Sequence, residues 1–384
     1  MLLIQNAHIK TMAGADIPNG CLLIEDGKIA AVAPEIDAPV GAKVIDAQGR
    51  LLTPGCVEAH CHIGLDNQSM RWEGMDYNEI VDPLTPQLRA IDSINPQDEA
   101  FGLALRGGVT TACTGPGSAN VVGGTFAILK LAGKRVDKMV LRSPAAMKCA
   151  FGENPKRCYK DKCDSTRMST AAFLRGALAS ARDYGARKAA ANGDVTKMPV
   201  YNQKLEALLP VLDHTIPLKA HAHQANDIFT AIRIAKEFDV GLTLEHVTEG
   251  HLIVDELAKE SNIPMAVGPS LTFASKFELQ NKSWETPGVL AKAGCHVSII
   301  TDNSVIPQQY LPLCAGMAVK AGMDPFAALQ AITINPAKHI GIADRVGSIE
   351  VGKDADLVLT DGCPFEVMTN VKAVLINGAV VSQK

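Results

Sequence analysis

Pro54-Gly-Cys-Val-Glu-Ala-His-Cys-His-Ile-Gly-Leu-Asp66 reads as a buried strand that carries two imidazoles. Side chains in a strand repeat every two residues, so His60 and His62 face one way and Cys61 the other. A hydrocarbon face offers an imidazole no partner. The flanking Thr53-Pro-Gly55 and Gly64 place the pair near a strand end. Two histidines on one face there suit a metal ion. Taken alone, the motif fits a satisfied pair of core histidines equally well.

The pattern recurs downstream. Ile216-Pro-Leu-Lys-Ala-His-Ala-His223 is a second apolar strand that ends in H-x-H. Leu242-Thr-Leu-Glu-His246 ends a third in histidine, and Val297-Ser-Ile-Ile-Thr-Asp302 ends a fourth in aspartate. The strands of a parallel barrel all stop on one rim, so four segments would deliver ligand types to one place. Imidazole and carboxylate together suit zinc, iron or manganese.

The segments between these motifs fit such a rim. Short strands with turn formers fill the first fifty residues (2–9, 20–25, 28–33 and 42–46), and the same style returns after residue 345. Between them, apolar strands (52–63, 109–115, 140–151, 216–223, 241–246, 264–267, 296–301) alternate with helical periodicity (169–191, 202–212, 225–237, 251–261, 287–293, 311–321, 325–333). The stretch 121–132 has room for another strand. Alternation of this kind predicts an α/β fold with a parallel sheet, and at this length a barrel.

These residues resemble the amidohydrolase superfamily, metal-dependent hydrolases on a (β/α)8 TIM barrel with a small β-sandwich built from both termini. The chain looks most like the imidazolonepropionase-related group. The resemblance covers nearly the whole chain. It rests on Pro54-Gly-x-x-x-x-His60-x-His62, on His223, His246 and Asp302, on Asn335-Pro-Ala337, and on Gly347-Ser-Ile-x-x-Gly-Lys-Asp-Ala-Asp-Leu357. It implies a catalytic barrel over 53–344 and a β-sandwich domain from 1–52 and 345–384. It implies that His60, His62 and Asp302 hold the more buried ion. His223 and His246 would bind a second ion, or water and substrate where there is one. His221 would support the site or meet the substrate. A carboxylated lysine often bridges two ions in such proteins. Lys148 stands where that lysine would fall, and Glu153 is the competing ligand. Zinc is the expected divalent metal, one or two ions per chain, with manganese and iron as alternatives.

The implied reaction is hydrolysis of a C–N bond in an amide, cyclic amide or dipeptide. Asp302 acts as general base and acid, and a histidine such as His246 or His223 helps the metals to stabilise the oxyanion. Deaminases and imidazolonepropionases of the superfamily continue the strand-five histidine as H-x-x-E, whereas this chain has His223-Gln-Ala-Asn226. That departure favours amide cleavage over a mononuclear deaminase or an imidazolonepropionase-like ring hydrolase. A barrel that has lost catalysis and serves binding or assembly is the remaining alternative, and the intact ligand set argues against it. Two loops are candidates for the substrate. One is the glycine-rich 114–124, with Asn120; the other is 152–159, with Glu153 and with Arg157, whose planar fork matches a carboxylate.

Composition agrees with a small-molecule enzyme. The 384 residues are 47% hydrophobic and carry a net charge of −4 from 37 basic and 41 acidic side chains. With the charges spread along the chain, neither a nucleic-acid partner nor a basic membrane-surface patch is expected. The start has no basic segment followed by an apolar core, and no apolar run approaches the ~18 residues of a membrane span. The ten cysteines read as reduced thiols. A cytoplasmic homo-oligomer is the expectation.

Overall fold

The computed structural model describes residues 1–68 and 70–383. Its strands in chain order are β1 (Leu2–Ile9), β2 (Ile17–Glu25), β3 (Lys28–Ala33), β4 (Lys43–Asp46), β5 (Leu51–Pro54), β6 (Cys56–Cys61), β7 (Val109–Thr114), β8 (Val122–Thr125) and β9 (Ala127–Lys130). There follow β10 (Val140–Arg142), β11 (Met147–Ala150), β12 (Leu218–Ala222), β13 (Leu242–His246), β14 (Met265–Val267), β15 (Val297–Ile299), β16 (Leu357–Thr360), β17 (Val371–Ile376) and β18 (Ala379–Gln383). The helices are α1 (Glu99–Arg106), α2 (Glu153–Tyr159), α3 (Arg167–Ala190), α4 (Gln203–Leu212), α5 (Ala225–Phe238), α6 (Val254–Leu257), α7 (Thr286–Lys292), α8 (Leu311–Lys320), α9 (Pro325–Gln330) and α10 (Ile334–His339).

Two strand chemistries divide the chain. β2 mixes exposed and buried positions, as a strand with one wet face does, whereas β6, β7 and β11 to β15 are buried throughout. Strands buried on both faces belong to a parallel sheet covered by helices. Accordingly β11 to β15 pair in parallel in sequence order, and β6 pairs in parallel with β7. The stretch 121–132 holds two strands, β8 and β9, which run antiparallel to β11 and β7. The span 140–151 is likewise broken into β10 and β11, with Pro144 between them. Backbone bonds link the two sheets at both edges, on one side through the intervening segment 331–332. Val57 donates to the Ile332 carbonyl at 2.9 Å and Ile299 to Ala331 at 2.8 Å. Phe126 donates to Ala146 at 2.9 Å.

Helix starts follow their caps. The Asp98 side chain accepts from the Ala100 amide before α1, Thr166 and Ser169 form a capping box on α3, and Asp324 caps α9 ahead of Pro325. The span 251–261 is short turns around the four-residue α6, not one continuous helix.

β1 to β5 join β16 to β18 in one eight-stranded sheet with its own apolar core, which includes Ile4, Leu22, Leu52, Leu357 and Leu375. Asp26-Gly27 and Asn377-Gly378 make its two-residue hairpins, all four with positive φ. Residue 384, the last of the expected sandwich, lies outside the described residues. Asp354 and Asp356 of the Gly-Lys-Asp-Ala-Asp segment tie this sheet to the centre. Both are buried, and Lys130 of β9 reaches them at 2.8 and 2.9 Å. Lys130→Met leaves Asp356 without its cation and weakens the set around Asp354, which keeps Lys28 and Arg345. The variant is expected to lose about 3 kcal/mol of stability, read from the shift of its urea midpoint at unchanged m value.

Candidate metal centre

Two groups of ligand-type side chains meet at the C-terminal ends of the parallel strands. His60, His62 and Asp302 form one, and His221, His223 and His246 the other; each is buried and each brings its ligand atoms within 4.8 Å of one another. The His60 and His246 rings lie 5.2 Å apart, so the two groups are neighbours. His60 and His62 share a face as the period-two argument requires. Cys61 points the other way into the apolar core, its thiol 3.6 Å from the Cys113 carbonyl.

Two members could not reach the site from a regular strand. Glu245 already faces the interior, 3.5 Å from His60 Nδ1, so the next residue should face outward. His246 has φ +76, which breaks the alternation and turns its ring in as well. Thr301 likewise faces Glu58, and φ +53 at Asp302 turns its carboxylate to the same side. A left-handed conformation costs a residue with a Cβ roughly 1–2 kcal/mol, and such strain gathers at functional sites.

Hydrogen bonds fix which imidazole nitrogen is bare. A carbonyl oxygen only accepts. His62 Nδ1, 2.7 Å from Gly115 O, and His246 Nδ1, 2.8 Å from Gly268 O, therefore carry the proton. His60 Nδ1 faces the Glu245 carboxylate, and His223 Nδ1 meets Thr248 Oγ1 at 2.7 Å. The Nε2 atoms are left facing each other and the carboxylates. Asp302 Oδ1 is 3.3 Å from His62 Nε2 and 3.6 Å from His60 Nε2. Donors about 2.1 Å from one ion in a tetrahedron stand about 3.4 Å apart, so this spacing fits a shared cation. His221 Nδ1 and Nε2, His246 Nε2 and Asp302 Oδ1 are buried without a hydrogen-bond partner. Orphaned lone pairs crowded in one place are what a divalent ion satisfies, and the residues fit such a group.

Electrostatics keep these atoms ready to ligate. Burial pushes His246 down to about 4 and His60, His221 and His223 well below the usual imidazole range. Burial pushes the Asp302 carboxyl up, but His246, His62 and Lys148 outweigh it and hold the group below its ordinary value. Lys148, fully buried with Nζ 3.3 Å from His60 Nε2, is pushed down to about 8 by burial, against the pull of Asp302 and Glu245.

A cavity of about 390 Å³ opens over the site, lined by His62, His221, His223, Asp302, Arg157 and Lys276 among others. Asn154 Oδ1 sits 3.4 Å from Arg157 and 3.3 Å from Lys276, holding the two cations side by side. Asn120 does not line this cavity. Its amide nitrogen lies within hydrogen-bonding reach of Asp82 O, Thr85 Oγ1 and Tyr159 Oη, which ties down the loop instead. Glu153 adjoins the site through its backbone, whose N–H donates to Glu278 Oε2 at 2.9 Å.

Four participants went unnoticed in the sequence. Lys219 and Glu245 carried a signal, since each is a charge inside an apolar strand; they pair at 2.9 Å, with His339 Nε2 3.1 Å from Glu245. Lys276 and Glu278 carried none, because they sit in an aperiodic loop after β14.

Residues 51–381 match the model of the amidohydrolase family. The chain belongs to the amidohydrolase family of hydrolases. It is 30% identical to the amidohydrolase tasK of Hapsidospora irregularis over 94% of its own length, but spans only 39% of that protein. It is 26% identical to the imidazolonepropionase of Sphingopyxis alaskensis over 95% of its own length and 93% of that protein. A crystal structure of an amidohydrolase from Thermotoga maritima superposes over the whole of both chains with a TM-score of 0.96 at 40% identity. The mixed α/β architecture is thus this family's fold. Among the described residues no helix is long and apolar enough to cross a membrane.

The buried imidazoles set a pH dependence for the apoprotein. Their folded pKa values lie below the unfolded value near 6.5. Below that pH the unfolded chain binds protons that the folded chain refuses. Stability should therefore hold above pH ~6.5 and fall as the pH drops towards about 4, the value for His246. Thermal melts in excess chelator across this window check the sign.

Proposed function

We propose that this chain is a metal-dependent hydrolase that cleaves the C–N bond of a small amide, cyclic amide or dipeptide bearing a carboxylate. The observation that carries the reading is the set of bare Nε2 and carboxylate atoms spaced for shared ions at the strand ends. His60, His62 and Asp302 would hold one divalent ion, zinc by expectation, and His221, His223 and His246 a second. An ion there supplies Lewis acidity that acidifies water and polarises a carbonyl. The Asp302 carboxylate, held ionised, would take the proton of the attacking water and return it to the leaving nitrogen. His246 holds an ion and does not donate to the oxyanion, because its proton is committed to Gly268 O. Lys148 rather than Glu153 is the bridging candidate, since it is the one placed against His60. A pKa brought down to about 8 favours the neutral amine that carboxylation needs.

Arg157 supports the carboxylate on the substrate. It lines the cavity, makes no ion pair among the described residues and meets Asn154 Oδ1 through Nη2 at 3.4 Å, so the rest of its fork can meet a ligand. Asn226, in the position of the family's shuttle glutamate, is exposed on α5, in keeping with amide cleavage rather than deamination. The closure of a (β/α)8 barrel over 53–344, with a separate β-sandwich from 1–52 and 345–384, is part of this reading. It is supported by the bonds that bridge the two sheets. A cytoplasmic homo-oligomer completes it.

Elemental analysis of protein purified without added metal should find one or two divalent ions per chain. Asp302→Asn should lower kcat by at least ~10³ on any amide substrate that the wild type turns over, and equal activity would sink the assignment. Arg157→Met should raise KM more than tenfold for a carboxylate substrate but little for its neutral amide counterpart.

A further inference from the structure

The second ligand group differs from the first in charge. His60 and His62 are accompanied by the carboxylate of Asp302, whereas His221, His223 and His246 are all imidazoles. An imidazole that ligates through its bare nitrogen is neutral, so these three bring no charge to a divalent ion.

Glu278 places a carboxylate beside this triad as Asp302 does beside the first pair. Its Oε1 lies 3.6 Å from His221 Nε2 and 3.6 Å from His223 Nε2. This repeats the spacing of Asp302 Oδ1 to the first pair. Both oxygens are buried. Lys276 Nζ approaches Oε1 at 2.6 Å as an ion-pair partner, which leaves a lone pair on that oxygen towards the histidines.

The surroundings are built to hold the group there. Oε2 accepts from the Glu153 amide at the start of α2. Gly152 precedes it with φ +84, and a Cβ at that position would stand 2.5 Å from Oε2 and 2.9 Å from Asp227 Oδ2. Glycine there is what lets the carboxylate reach the histidines. Glu278 itself is 1% exposed.

We propose that Glu278 is a ligand of the ion at His221, His223 and His246, contributed by the loop after β14 and not by a strand end. The inference rests on the reading of this triad as a metal site. Its consequence is that the second ion is held partly by the segment that also carries Lys276 into the cavity.

The test measures ion occupancy, not turnover. Wild type and Glu278→Gln are loaded with zinc, dialysed against graded chelator and assayed for zinc per chain. The wild type should release two ions in separate steps. In Glu278→Gln the weaker-held ion should leave at a chelator strength at least ~10-fold lower, with the other unchanged. Two ions held with wild-type affinity in Glu278→Gln would overturn the role of Glu278. Fewer than two ions in the wild type itself would overturn the triad as a metal site, and Glu278 with it, on wild-type data alone. Should the variant fail to fold, anomalous density from zinc-loaded wild-type crystals decides. An ion about 2.0–2.2 Å from Oε1 supports the proposal, and one beyond ~3.5 Å refutes it.

Discussion

Lone pairs that point at one another with no proton between them are what the rest of this molecule is arranged to sustain. Carbonyls of Gly115 and Gly268 take the Nδ1 protons of His62 and His246, so the bare nitrogens cannot turn away. The left-handed backbone at His246 and Asp302 adds strain in the same direction. Gly268 shows how close the tolerances are, since a Cβ there would stand 2.2 Å from the Ile300 carbonyl. Such an arrangement is unfavourable as bare protein and becomes favourable around a cation.

Below the ligands lies a second polar layer. Burial pushes Glu245 up, but Lys219 and His339 prevail and hold it well below the usual carboxylate range, so an anion faces His60 Nδ1. A carboxylate behind a ligating imidazole fixes its tautomer and orientation. Glu58, two residues before His60, follows the opposite course. Burial raises it to about 8 despite bonds from Thr301, which leaves it protonated near neutrality. Two glutamates in one dry interior thus take opposite charge states, because only Glu245 has a cation beside it.

What could be read from the sequence was what strand periodicity encodes. His60, His62, His223, His246 and Asp302 close apolar runs, and a shared rim brings them together wherever they fall in the chain. His221 was harder to place. Period two sets it on the face of His223, yet nothing local says whether it ligates, and the structure sets its Nε2 3.6 Å from Glu278. The loop residues were beyond reach. Asn120 sat in a glycine-rich segment that suggested a ligand cradle, whereas its amide nitrogen is spent on holding the loop. Glu278 and Lys276 follow no period, and only the approach of the 269–285 loop to α2 brings them to the histidines. Strand architecture survived translation from pattern to fold best where the chain was parallel. It failed at residues 121–151, where short antiparallel pieces intervene.

The pairing of β16 with β5 has a consequence for how the chain comes into being. Leu357 opposes Pro54 and Thr360 opposes Leu51. The strand that leads into the first histidine pair has β1 beside it early but therefore lacks its second neighbour until some three hundred further residues have left the ribosome. Contacts of such long sequence separation form late, because loop closure must precede any gain from them. The central sheet is joined largely between successive strands and can assemble as it emerges. The terminal sheet then acts as a closing clasp, and an interrupted chain would leave the β5 edge open to pairing with other molecules.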